Sequence, residues 1–117
     1  MNFLAALEFS TRNDLRELEN CLEQAVGEDK FIKEICAPLI GGGKRLRPRL
    51  FLLCSCATGK FSAEKILPLA TALELIHTAS LVHDDILDGA KKRRGVETVN
   101  SKFGAQIAVL AGDYLFA

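Results

Sequence analysis

The segment His83-Asp84-Asp85-Ile86-Leu87-Asp88 places three carboxylates within five residues, and Lys91-Lys92-Arg93-Arg94 then supplies four cations. Aspartate is a mediocre helix former, and like charges at i,i+4 oppose a helix by roughly 0.2–0.5 kcal/mol per pair, so this pattern works against the helix predicted by the apolar run before it. Such departures are expected where function requires them. Carboxylates at a helix C-terminus also meet the negative end of the helix dipole, so a merely solvated helix end accounts poorly for them. Oxygen-only donors suit Mg²⁺, which keeps several waters and is held by one or two carboxylates plus the phosphates of a substrate. The chemistry implied is a magnesium and diphosphate site.

Spacing assigns the roles. At about 100° per residue, His77, Asp84 and Asp88 fall within roughly 40° of one another on one helix face, with Ser80 on the flank. Asp85 lies about a quarter turn away. Asp84 and Asp88 are therefore the expected metal ligands, and Asp85 the residue that supports them.

A second basic group, Lys44, Arg45, Arg47 and Arg49, follows Gly41-Gly42-Gly43. Three glycines give the backbone freedom to approach a ligand closely. The segment is not a P-loop: Arg45 stands where Ser or Thr is required, Pro38 occupies the place of the first glycine, and no strand precedes it. Glu74-Leu75-Ile76-His77 has the Glu-x-x-His spacing of di-iron bundles, but no second pair accompanies it, since Ser80 precedes His83 by three residues. His83-Asp84 has the form of a phosphohydrolase metal pair but lacks the additional ligands that such a site needs.

The elements that must position these residues are helical. Phe3, Leu4, Leu7, Leu15, Leu18, Leu22 and Val26 recur at helical spacing, predicting one or two amphipathic helices that stop at Gly27. A second helix is expected from Phe31-Ile32 to Leu39-Ile40, and a third from Arg49 to about Ala57, with Pro48 in its first turn. Gly59 and Lys60 form a break. Ser62 offers an N-cap for a helix from Ala63 to about Asp88, apolar almost all round and so expected to be central and buried. Gly89 ends it, Lys91 to Thr98 reads as a polar loop, and Asn100 or Ser101 would cap a last helix through Phe103, Ile107, Leu110, Leu115 and Phe116. No strand alternation is evident. Apolar residues still accumulate where the chain stops, so either a fragment or a subunit completed by a partner is expected.

Composition excludes several classes. With 117 residues the chain forms one domain at most. Fifteen cations balance fifteen anions, so no global field favours nucleic acid or a membrane surface. Cys21, Cys36, Cys54 and Cys56 show no zinc or disulfide spacing, and no secretory segment follows Met1, so a reduced, cytoplasmic chain with small core cysteines is expected. No apolar run reaches the roughly 20 residues needed to span a bilayer, so a soluble chain is expected.

Taken together, these residues resemble the all-trans isoprenyl, or polyprenyl, diphosphate synthases. Gly42-Gly43-Lys44-Arg45-Leu46-Arg47-Pro48 is similar to that family's isopentenyl diphosphate segment, and Glu74 through Asp88 to its first aspartate-rich motif. Arg93-Arg94-Gly95, Thr98, Asn100, Phe103-Gly104 and Ala111 to Ala117 continue the pattern in order, so the resemblance covers residues 38 to 117. It implies an all-α fold, part of an isoprenoid-synthase-type helical bundle, and a Mg²⁺-dependent prenyltransferase that condenses isopentenyl diphosphate with an allylic prenyl diphosphate. By the same resemblance Asp84, Asp85 and Asp88 are the catalytic carboxylates, with Asp84 and Asp88 on the metal. Arg93 would hold the allylic diphosphate, and Lys44, Arg47, His77 and Arg94 isopentenyl diphosphate. Small residues at Ala79 and Ser80, one turn before the aspartates, imply an open tunnel and a product of C20 or longer, which Ala79→Phe would shorten. The family's second aspartate-rich motif is absent, so residues 1–117 correspond to the amino-terminal part of the domain. A homodimer, or a heteromer with a chain supplying the missing half, is implied. The alternative is a non-catalytic regulatory subunit of a heteromeric synthase.

Overall fold

A computed structural model describes residues 3–59 and 62–117, with side chains described from residue 11 onward. Among these residues the fold is helical: α1 (Phe3–Val26), α2 (Lys30–Ile40), α3 (Leu46–Ala57), α4 (Ala63–Leu87), α5 (Val99–Phe103) and α6 (Ala105–Phe116), plus strands β1 (Lys92–Arg93) and β2 (Val96–Glu97). The side chains of Phe3, Leu4 and Leu7, and residue Lys60 in the expected break, lie outside the described set.

Local chemistry accounts for the boundaries. α1 is one continuous helix, stopped where Gly27 takes φ +79°. The carboxylate of Asp29 accepts hydrogen bonds from the amides of Phe31 at 2.9 Å and Ile32 at 3.0 Å, satisfying two of the orphan donors at the start of α2. α3 begins three residues earlier than expected, at Leu46, which leaves Pro48 within the first turn, where its missing N–H costs no helical bond. Thr98, and not Asn100 or Ser101, caps the next helix by accepting from Ser101 N. Gly104 at φ +91° then divides the expected single last helix into α5 and α6.

The chain forms two compact units, one of residues 1–25 and 43–74, the other of 26–42 and 75–117. In the first, Leu18 and Leu22 of α1, Leu52 of α3, and Leu67 and Ala70 of α4 are buried. In the second, α6 packs on α5 and α2, and Ile35, Cys36, Ala79, Val82, Val99, Ala108, Ala111 and Leu115 form the core. Tyr114 donates its hydroxyl to the carbonyl of Val26 at 2.9 Å, tying α6 to the end of α1.

Three expectations require correction. α4 is not buried all round: Leu69, Leu73 and Ile76 form an exposed stripe at i, i+4 and i+7, because the described helices cover only part of its circumference. By length and composition this helix would also suffice to cross a membrane, a test that the core helix of a soluble bundle passes equally. Its buried Thr71, Glu74, Thr78 and Asp85 are the polar groups of a helix packed into protein. Finally, Cys54 and Cys56 lie exposed on α3, whereas Cys36 is buried and burial pushes its thiol pKa up.

Candidate active site

The C-terminus of α4 is closed by two bonds of a Schellman motif: Ala90 N donates to Asp85 O at 2.9 Å, and Gly89 N to Ile86 O at 3.2 Å. Gly89 adopts φ +62°, which glycine supplies without the cost a Cβ would add. This ending leaves Asp84 and Asp88 exposed on the last turn, while Asp85 is only 7 % exposed.

The segment expected as a loop is a minimal antiparallel hairpin pairing Lys92 with Glu97 and Arg93 with Val96. Its turn residues, Arg94 and Gly95, both have positive φ, 51° and 78°, as the tight hairpin turns compatible with strand twist require. Two side chains fasten the hairpin to α4. Thr98 Oγ1 donates to Ala90 O at 2.7 Å, and Asn100 Nδ2 donates to Ala90 O at 3.1 Å and Asp85 O at 3.4 Å.

Folded back in this way, Arg93 meets Asp85. Nη2 donates to Oδ1 at 2.8 Å and Nε to Oδ2 at 3.0 Å, a bidentate arrangement. These bonds hold the Arg93 pKa above its already high ordinary value; burial opposes the shift, while the charges of Asp85, then Asp84 and Asp88, add to it. The fork that the resemblance assigns to a diphosphate thus faces a carboxylate, with the Arg93 side chain still 40 % exposed. Lys91, Lys92 and Arg94 are exposed around it.

The remaining candidates are distributed as follows. His77 is half-buried on α4, its carbonyl accepting from Ser80 Oγ at 2.7 Å. Ala79 has no exposed surface, whereas Ser80 is partly open. Lys44 and Arg47 are exposed in the first unit, whereas His77, the aspartates, Arg93 and Arg94 belong to the second. Between Lys44 and Arg47, Arg45 turns inward: Nε and Nη2 donate to Glu19 at 2.6 and 3.0 Å, and Nη1 to Glu74 at 3.1 Å. The bond to Glu19 is the main cause of a raised Arg45 pKa.

Sequence reading assigned no site role to Glu19, Arg45 or Thr98, and gave Asn100 only as a candidate helix cap. The positive φ that places Arg45 and the fold-back that brings Asn100 to Asp85 are not expressed in residue spacing. No group of three or more His, Cys, Asp or Glu side chains converges as a ready metal cage among the described residues. Two exposed carboxylates on one face, with the third engaged by an arginine, fit a hard cation that completes its shell with water and substrate oxygens.

Residues 29–117 match the family model for polyprenyl synthetase. The chain belongs to that family. Among polyprenyl synthetases it is 43 % identical to solanesyl diphosphate synthase 1 of Arabidopsis thaliana, over 97 % of this chain and 28 % of that protein. It is also 43 % identical to heptaprenyl diphosphate synthase component 2 of Geobacillus stearothermophilus, over 97 % of this chain and 36 % of the other. The decaprenyl diphosphate synthase of Rhodobacter capsulatus superposes with a TM-score of 0.87 at 35 % identity, over 96 % of this chain and 35 % of that one. A polyprenyl synthase from Caulobacter crescentus, solved with calcium and isoprenyl diphosphate, gives 0.87 at 34 % identity, over 94 % and 34 %. This polyprenyl synthetase chain therefore spans about a third of the length of the relatives it matches. The all-α fold of the isoprenyl synthases is the one observed.

Proposed function

We propose that the protein containing this chain is a Mg²⁺-dependent prenyltransferase that extends an allylic prenyl diphosphate with isopentenyl diphosphate to an all-trans polyprenyl diphosphate of C20 or longer. The observation that carries this reading is the α4 terminus, where two exposed carboxylates on one face stand beside a hairpin bearing Lys91, Lys92, Arg93 and Arg94. A divalent cation held by Asp84 and Asp88 would supply Lewis-acid neutralisation of the departing diphosphate. The chain's own residues bind and orient. Arg93, steered by Asp85, presents donors to the allylic diphosphate, while Lys44 and Arg47 on one unit, and His77 and Arg94 on the other, are assigned by resemblance to isopentenyl diphosphate.

Because the relatives are about three times longer, turnover is assigned to the whole protein or to a heteromer, and a homodimer belongs to the same proposal. A cytoplasmic location is part of the same proposal. A second reading, a regulatory subunit of a heteromeric synthase, draws on relatives named as a component of heptaprenyl diphosphate synthase. The intact aspartate motif favours the catalytic reading.

The test incubates the protein with farnesyl diphosphate, labelled isopentenyl diphosphate and Mg²⁺, and resolves the prenyl products by length. A ladder reaching C20 or beyond that vanishes in Asp84→Ala is expected. Product formation unaffected by Asp84→Ala and by chelation would overturn the assignment.

A further inference from the structure

We propose that Arg45, Glu19 and Glu74 are positioning residues of the isopentenyl diphosphate site, holding the loop after α2 so that Lys44 and Arg47 both point outward; the inference rests on the function proposed above.

The loop is conformationally unusual. Gly42 and Gly43 take φ +86° and +91°, and Arg45, which carries a Cβ, takes φ +51°, ψ +38° as the N-cap of α3. A non-glycine residue in the left-handed region is uncommon and persists where its surroundings over-determine it. Here they do. The Arg45 side chain is 6 % exposed and its guanidinium is divided between two carboxylates, one on α1 and one on α4, with both oxygens of Glu19 engaged.

Buried ion pairs are weak sources of net stability, because desolvating the charges offsets much of their attraction. What this arrangement supplies is direction. The planar fork fixes the backbone at 45, and the adjoining residues 44 and 47 are then exposed, on the loop and in the first turn of α3. Two cations held in place before the ligand arrives lose less freedom on binding a diphosphate than two on a mobile loop.

The experiment titrates isopentenyl diphosphate, and separately farnesyl diphosphate with Mg²⁺, into wild type, Arg45→Gly and Glu19→Gln. Arg45→Gly retains access to positive φ while removing the fork. Glu19→Gln alters a residue whose side chain is 45 % exposed, and so keeps the question answerable if Arg45→Gly fails to fold. The expected result is a loss of isopentenyl diphosphate affinity of about tenfold for Arg45→Gly and several-fold for Glu19→Gln, in line with a displaced charge-assisted contact, with farnesyl diphosphate affinity unchanged. A merely structural role would lower the fraction of binding-competent protein, or weaken both ligands alike, and either result overturns the inference. Wild type that binds farnesyl diphosphate but not isopentenyl diphosphate overturns the proposed function and this inference with it. Isopentenyl diphosphate affinity in both variants equal to that of wild type overturns this inference alone.

Discussion

Arg93 clasps Asp85 across the turn that ends α4, with Nη2 and Oδ1 2.8 Å apart. The pair joins the hairpin to the helix that carries the aspartates. Asp85 is therefore a residue that sets where an arginine stands, while Asp84 and Asp88 remain exposed.

Replacing Arg93 by alanine should leave a nearly buried carboxylate without its fork. A cost of about 1–2 kcal/mol is expected, below the range for a fully buried pair because Arg93 is substantially exposed and water screens it. Urea unfolding measures it. Arg93→Lys should recover only part of the loss, since a point charge cannot make both bonds.

The imidazole of His83 lies on the backbone of α6 at Gly112, where an added Cβ would overlap its ring. His83 Nε2 is 3.2 Å from Val109 O, and its ring sits 5.7 Å from that of Phe116. Gly112→Ala should therefore destabilise by about 1–3 kcal/mol through overpacking. Adding His83→Ala should make the second change cheaper, and a double-mutant cycle on Tm would register the coupling. Additive costs would show that the two residues do not constrain each other.

Ala79 and Ser80 should respond differently to phenylalanine. With no exposed surface at Ala79, Ala79→Phe must displace core neighbours and should cost about 1–3 kcal/mol. Ser80 is partly open, so Ser80→Phe should preserve the fold and, in the active enzyme, shorten the product. Thermal melts and product chromatography of the two variants separate these outcomes.

The cysteines should label in two classes. Cys54 and Cys56 are exposed and should alkylate readily in native buffer. Burial raises the Cys36 pKa, so at the same pH it holds less thiolate, and it should resist reagent until the fold opens. Mass spectrometry of peptides after timed iodoacetamide treatment checks the order.

Periodicity by itself determined the helical class and the extent of α4, because 3.6-residue spacing is a local property of the chain. Residue type by itself raised the expectation of magnesium and diphosphate chemistry, since clustered oxygen donors suit a hard cation and arginines suit phosphate oxygens. The helix starts were less legible: α3 is preceded by a left-handed arginine that no propensity favours, held there by carboxylates 26 and 29 residues away in sequence. Only the tertiary structure decided that Arg45 faces inward while Lys44 and Arg47 face out, that Asp85 belongs to Arg93, and that Ala79 is sealed while Ser80 is open. Each of these depends on which distant group arrives at a given side chain, a matter of chain reversal and packing that spacing along one helix does not encode.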